Sequence, residues 1–440
     1  MSDPGLKPEA RSPKPSGTDV DLLVVGAGAA GLATAIFAAR ASAGRSRLRV
    51  HCLDGARHIG AKILVSGGSR CNVTNRAVTE RDFWGGPSRL VARVLRAFPA
   101  DRAARFFEDM GVGLHEEEHG KLFPDSNKAQ TVLEALLGEA RRLGIAVETG
   151  TRVTGVRREA GAFVAERNGG APLTARAVVL ATGGRSLPKS GSDGFGYSLA
   201  AGFGHGCVAT TPALAPLVLR GDAHRPLAGV SHPAALALHA GGRTVIRLEG
   251  ALLWTHFGIS GPVVLNLSLH WHRAMLDAPG TDASPIEVRL SVLPGRTFEL
   301  AERWLLDEAA ARPRTQVATV LDGVLPHAIA AAWVAAAGLE RDVTMAHLTR
   351  EDRRRLAHAL VEWPLDVADS RGYTYAEVTA GGVALDEIDT ATMESRRQPG
   401  LYLVGEILDV DGRLGGFNFQ WAWSSGWVAG QALARALTAG

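Results

Sequence analysis

The hexapeptide Gly26-Ala27-Gly28-Ala29-Ala30-Gly31 constrains this chain more than any other stretch of it. It follows an apolar run, Asp19 to Val25, and opens an alanine-rich stretch, Leu32 to Ala41, that reads as a helix. A second apolar run, Leu48 to Leu53, ends in an acid, Asp54. Strand, Gly-x-Gly-x-x-Gly turn, helix, strand and acid, in that order, describe a dinucleotide-binding βαβ unit. Gly26 permits the tight turn out of the strand. Gly28 lets a diphosphate approach the backbone, and Gly31 lets helix and strand pack closely. The free N–H groups at the helix start, carried by Ala29, Ala30 and Gly31, then face the anion. Asp54 follows at close to the ~20-residue spacing at which an acid accepts hydrogen bonds from a ribose diol. Taken alone, the loop suits NAD as well as FAD.

Three further glycine-rich blocks narrow that choice. Gly60 to Asn75 reads as a loop able to wrap a cofactor, with Lys62 or Arg70 supplying charge and Ser66, Gly67, Gly68 and Asn72 supplying contacts. Val178 to Ala181 is a buried strand running into Thr182-Gly183-Gly184, an element that passes close to FAD in flavoproteins with two dinucleotide domains. Leu401 to Val404 is another strand, ending in Gly405 and Glu406 and followed by Asp409, Gly415, Gly416 and Asn418 before a final apolar helix, Trp421 to Ala436. A carboxylate after a strand suits ribityl hydroxyls, and Gly415 and Gly416 let a helix N-terminus face the electron-rich side of a flavin ring. Val153, at the head of a strand, joins the cofactor-binding set. FAD is the expected cofactor.

A chain of 440 residues exceeds one ordinary core. Arg89 to Met110 and Lys128 to Leu143 read as helices, and a β-meander spans Arg152 to Ala175. After Cys207 the character changes to short antiparallel strands, with Leu217 to Leu219, Ala234 to His239, Thr244 to Glu249 and Ile286 to Leu290 among them. Helices follow at Phe298 to Ala311, Val317 to Leu339 and Met345 to Leu360. The expected organisation is a disordered tail over 1–18, an α/β cofactor domain over 19–205 and 371–440, and an insert over 206–370 that is β-rich to 295 and helical from 296. Net charge is +3 and the only cysteines are Cys52, Cys71 and Cys207. They form neither a disulfide framework nor a metal-ligand set, so a reducing, cytoplasmic setting and no metal are expected. No window approaches the ~18–20 apolar residues of a membrane span.

Together these blocks resemble the BaiN/YhiN-type FAD-dependent oxidoreductases. The specific pieces are Lys62 to Asn75, Thr255-His256-Phe257-Gly258-Ile259-Ser260-Gly261-Pro262, Thr379 to Val383, Thr392-Met393-Glu394-Ser395, and Gly405 to Gln420. The resemblance implies a Rossmann-type FAD domain built from both chain ends and split by an inserted β-barrel plus helical domain, with FAD held non-covalently. It also implies reduction of conjugated or ring C=C bonds, on steroid enones or on uridine in ribosomal RNA. Asp54 stands where many flavoproteins carry Glu, and Gly60-Ala61 precede Lys62 where a basic residue is common.

Reduction of a C=C bond needs a proton donor within hydrogen-bond reach of the substrate. His256, Cys71, Arg70 and Tyr197 are the candidates. Imidazole is the side chain whose ordinary titration range suits proton transfer near neutrality, and Cys71 beside Arg70 is either an acidified thiol or, the preferred reading, a small packed residue. A single Gly-x-Gly-x-x-Gly and the lack of a close cysteine pair set the chain apart from disulfide reductases. NADH or NADPH would then be a transient electron donor. The expected partner is a small unsaturated substrate or ribosomal RNA. For RNA, Arg350, Arg353, Arg354 and Arg355 would face one groove with Arg303, Arg312 and Arg314. A non-catalytic FAD-bearing sensor is the alternative from a different class.

Overall fold

The computed structural model describes residues 17–44, 46–278 and 286–439. The tail expected over 1–18 therefore lies almost wholly outside the described residues. The chain divides into two compact units, one running through Thr210 and resuming at Gly381, the other Thr211–Ala380. The crossings fall within strands Cys207–Ala213 and Val378–Val383, several residues beyond the expected boundaries.

The first unit is built on strands β1 (Val20–Val25), β2 (Val50–Asp54), β3 (Ala146–Thr149), β4 (Leu173–Leu180) and β5 (Leu401–Leu403). They pair all-parallel in the order β3-β2-β1-β4-β5. Leu22, Leu23 and Val24 are each fully buried. Consecutive rather than alternating burial is what a parallel sheet covered on both faces requires. In register, Val25 stands opposite Leu53 and Leu180, and Leu180 opposite Leu403. The strands therefore finish along one line, and the loops that follow them emerge side by side. Strand β4 is continuous where the sequence suggested two segments. It pairs with the hairpin strand Ala162–Arg167 over Leu173–Ala175 and with β5 over Val178–Leu180.

Helix α1 (Ala29–Ser42) follows β1, α2 (Ala61–Ser69) follows β2, and α3 (Phe417–Thr438) closes the chain. Glycine lets α1 and α3 meet backbone to backbone. A Cβ on Gly430 would stand 2.6 Å from Phe37 Cβ and 2.9 Å from Ala38 N. The helix expected over Arg89 to Met110 is two helices, Ser88–Ala97 and Ala100–Glu108. Pro99 has no N–H to donate and disfavours helical backbone at Phe98, where φ is −141°. For the same reason Val317 to Leu339 divides into Val317–Asp322 and His327–Ala336, with Gly323 and Pro326 between them.

The second unit carries a seven-stranded sheet. Its order is Trp363–Leu365, Glu287–Ser291, Ser231–Ala240, Arg243–Thr255, Gly258–Ser260, Leu217–Leu219, Val367–Ser370. The first and last of these strands are consecutive in the chain, separated by Asp366 alone. One extended run thus serves both edges, and the sheet comes round on itself as a barrel, which leaves no open edge to protect. Ala234, Leu236, Leu238, Leu252 and Leu290 fill it, together with helix residues Ile329, Trp333, Leu356 and Leu360. The fold is α/β: a Rossmann-type cofactor unit interrupted by a barrel with helices. Among the described residues, no helix is long and apolar enough to cross a membrane.

Candidate FAD site

The glycines of the first loop divide into two kinds. A Cβ on Gly31 would lie 1.9 Å from Gly26 O, and one on Gly26, where φ is +97°, would lie 2.4 Å from Ala181 O. These two are demanded by packing. A Cβ on Gly28 would meet nothing within 4 Å. Gly28 is the N-cap of α1 and makes no side-chain cap. The opening turn of the helix therefore offers its N–H groups, at Ala29, Ala30 and Gly31, to open space where an anion is favoured. Asp54 Oδ2 accepts from the Ala27 N–H at 2.8 Å, and Oδ1 accepts from the Ala56 N–H at 2.8 Å. Each carboxylate oxygen keeps a further lone pair, so Asp54 fixes the phosphate loop while remaining an acceptor for a ribose hydroxyl. Val153 is buried, and nearby the Thr151 N–H donates to Asp54 O at 2.9 Å.

The block after β2 is not the loop expected from its glycines. It is the short helix α2, ended by left-handed backbone at Gly67 and Gly68, where φ is +55° and +68°. From its first turn Lys62 Nζ donates to Glu406 Oε2 and to Ser186 Oγ, both at 2.7 Å, and the Ser186 hydroxyl donates to Glu406 Oε1 at 3.0 Å. The loops leaving β2, β4 and β5 are tied together by this one network. Ser186 was not singled out from the sequence, because no motif marks a serine four residues past Thr182. Gly405 needs its positive φ of 74°, and a Cβ there would stand 2.6 Å from Ala30 Cβ. Its N–H donates to Ser425 Oγ at 3.1 Å.

Around these strand ends several buried polar atoms have no hydrogen-bond partner among the described residues: Thr182 Oγ1, Ser190 Oγ, Ser192 Oγ and Asn72 Oδ1. A Cβ on Gly183 would lie 2.7 Å from Ser192 Oγ and 3.9 Å from Lys62 Nζ, beside the buried Gly184. One on Gly416 would lie 2.8 Å from Asn72 Oδ1. Gly416 caps α3 with φ of +89° and no side-chain cap, next to Gly415 at +127°. A buried unsatisfied group costs about 1–3 kcal/mol. A cluster of them beside an uncapped helix start fits a ligand rich in phosphate, hydroxyl and ring heteroatoms, and FAD is such a ligand.

Other sequence candidates are engaged elsewhere. The Asn418 side chain closes the turn ahead of α3, accepting from the Gly412 N–H at 2.8 Å and donating to Gly412 O at 2.7 Å. The Ser66 hydroxyl donates to Ile63 O at 2.8 Å. The buried Asp409 anchors backbone, its carbonyl accepting from the Gly86 N–H at 2.7 Å. Arg70 pairs with Glu117 at 2.5 Å and lies 4.1 Å over the Phe123 ring. Cys71 is fully buried, and burial pushes its thiol up to about 12. The low-pKa thiol and the arginine acid are therefore corrected to packing and structural roles. Tyr197 lies on the helix Phe195–Gly202. His256, in the second unit, is exposed on the two-residue turn between strands Arg243–Thr255 and Gly258–Ser260, with its ring edge-on to Phe257 at 5.1 Å.

Four of the seven arginines expected to face RNA are engaged within the second unit, while Arg303, Arg314 and Arg350 are exposed. Arg353 pairs with Glu302 at 3.4 Å, Arg355 with Asp352 at 2.5 Å, and Arg312 with Glu308, while Arg354 lies 5.1 Å over the Phe298 ring.

Residues 20–432 match the HI0933-like protein Rossmann domain. The chain is 34% identical over 420 residues to the ribosomal RNA dihydrouridine synthase of Escherichia coli (strain K12), covering 94% of this chain and 98% of that protein. It is 32% identical over 411 residues to the 3-dehydro-bile acid delta(4,6)-reductase of Clostridium scindens, covering 93% and 98%. Among solved structures, the 3-ketosteroid delta1-dehydrogenase of Sterolibacterium denitrificans aligns with a TM-score of 0.50 over 95% of this chain and 99% of that one, at 14% identity, which is a likeness of fold. The chain belongs to the HI0933-like Rossmann family and is an FAD-dependent oxidoreductase.

Proposed function

We propose that this protein reduces a C=C bond conjugated to a carbonyl group, with NADH or NADPH as electron donor. The observation that carries the reading is its near full-length likeness to two relatives, one named for a bile-acid reduction and one for making dihydrouridine. A steroid enone and a uracil ring share little except that conjugated group. Bound FAD supplies the hydride chemistry. The chain's own residues hold and orient it. The α1 N-terminus takes the diphosphate and Asp54 the ribose. Lys62, Ser186 and Glu406 lock three loops around it, and Thr182, Ser192 and Asn72 complete the polar lining. The second unit receives the substrate, and His256 supplies the proton. A ribosomal RNA substrate is the second reading, carried by the relative named for making dihydrouridine.

The test is to purify the yellow protein, reduce it anaerobically with NADH or NADPH, and follow reoxidation by a steroid enone and by ribosomal RNA lacking dihydrouridine. Reoxidation by either supports the reading and names the substrate class. A flavin that neither compound reoxidises removes it.

A further inference from the structure

Arg371 stands out in the second unit. It leaves the last barrel strand, Val367–Ser370, and its backbone is pinned on both sides. The Arg371 N–H donates to Pro216 O at 2.9 Å. Ser370 Oγ accepts from the Gly372 N–H at 3.0 Å and pairs with His272 Nε2 at 2.8 Å. Burial pushes His272 down to about 4, so this contact is between a neutral imidazole and a hydroxyl. The guanidinium is held by rings. Its carbon lies 3.5 Å from the Tyr375 ring centroid and 4.6 Å from that of Phe257.

What it lacks is an acceptor. Among the described residues, the half-buried Arg371 guanidinium makes no hydrogen bond and no ion pair. Half-buried arginines elsewhere in the chain are matched: Arg167 with Glu148 at 2.9 Å, Arg353 with Glu302 at 3.4 Å, Arg413 with Asp82 at 2.7 Å. Cation–π contact holds a guanidinium by its faces and leaves its planar N–H edge available. An arginine so fixed, with its donors unused, is preorganised for an oxygen acceptor.

We propose that Arg371, held against Phe257 and Tyr375, binds the carbonyl oxygen of the substrate. The proposal rests on the conjugated C=C reading and adds to it the residue that recognises the group. Addition of a hydride equivalent, two electrons and a proton drawn from a reduced nicotinamide, forms a C–H bond at the carbon far from the carbonyl. The C=C pair then moves onto the oxygen as an enolate, and the carbon next to the carbonyl takes up a proton. The net change is addition of two hydrogens. Fixed N–H donors at that oxygen stabilise the charge as it develops. Phe257 carries Arg371 against its ring and the His256 imidazole at 5.1 Å, so a candidate acid and the oxygen-binding group share one side chain.

The experiment uses FAD-loaded wild type, Arg371→Gln and Arg371→Lys, with androst-4-ene-3,17-dione and a ribosomal RNA transcript lacking dihydrouridine as probes. Two quantities are read: the Kd of each probe for the oxidised protein, and the rate at which each reoxidises the reduced protein at saturation. Arg371→Gln is expected to weaken the Kd for the accepted probe about tenfold. It should slow reoxidation by about 10²–10³, the usual cost of an oxyanion donor. FAD content and reoxidation by ferricyanide, which has no carbonyl, should stay unchanged, and Arg371→Lys should recover part of the loss. The probe that responds distinguishes a small enone from RNA. Equal Kd and equal rates in wild type and Arg371→Gln overturn the proposal, as does a loss shared with ferricyanide and accompanied by lost FAD. If neither probe reoxidises the wild type, the C=C reading fails and Kd alone decides Arg371. A Kd that weakens in Arg371→Gln then supports it, and an unchanged Kd, or no binding, overturns it.

Discussion

Lys62 and Glu406 lie 344 positions apart in the chain and 2.7 Å apart in space. Their side chains are 25% and 18% exposed, and Ser186 bridges them. The pair is half withdrawn from water, between the exposed case worth about 0–1 kcal/mol and the buried case in which removing one partner costs about 3–5. Breaking it also frees three loops that frame the cofactor.

Lys62→Met should therefore lower stability by about 1–2 kcal/mol, intermediate between those limits, and reduce the FAD retained through purification. Glu406→Leu should do the same. The double variant should be more stable than the sum of the single losses, because neither charge is then left alone. Thermal melts and the ratio of flavin to protein absorbance read both effects, and strictly additive losses would show that the pair is not a working contact.

Gly28 and Gly31 belong to one motif but should fail differently. Gly31→Ala places a carbon 1.9 Å from Gly26 O, and backbone cannot yield that far. It should lower the melting temperature of FAD-free protein. Gly28→Ala meets nothing within 4 Å and has an ordinary φ of −77°. It should leave the FAD-free protein as stable as wild type and weaken only FAD binding, measured by fluorescence titration. Equal damage to folding from both substitutions would contradict an open cradle at Gly28.

Strands β1 and β2 and the loop between them were legible because their information is local: apolar runs, three glycines, one acid. The barrel was legible through the family resemblance, whereas the residues by themselves showed only short strands, since its closure depends on one run, Trp363–Ser370, serving both edges. The Lys62–Ser186–Glu406 network was half legible. Lys62 and Glu406 sat in recognised blocks, but their contact depends on parallel register across three strands, and Ser186 carries no pattern. Cys71 was misleading for a physical reason. Its neighbour Arg70 suggests an acidified thiol in sequence, but Cys71 has a left-handed φ of +63° and is buried, while Arg70 turns to Glu117.

Thiol chemistry checks that correction. Cys52 and Cys71 are fully buried with their thiols pushed up to about 12, whereas Cys207 is exposed. A disulfide reagent such as dithionitrobenzoate should label one thiol per native chain and three after denaturation. Cys207→Ser should abolish native labelling, and Cys71→Ala should not change the pH profile of turnover. Rapid native labelling of Cys71 would restore it as a reactive group.

A pH dependence of stability on the acid side should come from Glu387. Its carboxylate accepts from Arg397, from His205 Nδ1 at 2.8 Å and from the Gly206 N–H at 3.0 Å. On the far side of the imidazole, Nε2 pairs at 2.7 Å with Ser395 Oγ, which already accepts the N–H groups of Arg397 and Gln398. The serine therefore donates to Nε2, and Nδ1–H donates to Glu387. Arg397 is the largest cause; burial opposes it, and the His205 and Gly206 hydrogen bonds add to it, so the carboxyl is held down from an ordinary 4.5 to about 2. A depressed carboxyl contributes stability that is complete above its unfolded value and is lost as pH falls toward its folded value. The window is thus about 4.5 to about 2, and the ceiling is about 3 kcal/mol at ~1.36 kcal/mol per unit. Glu387→Gln should be less stable than wild type by a constant amount between pH 7 and pH 5 in urea unfolding. The gap should narrow by pH 3.5, where the wild-type advantage is partly lost. A gap that stays the same down to pH 3 would mean that the carboxylate's charge is not what stabilises this corner of the fold.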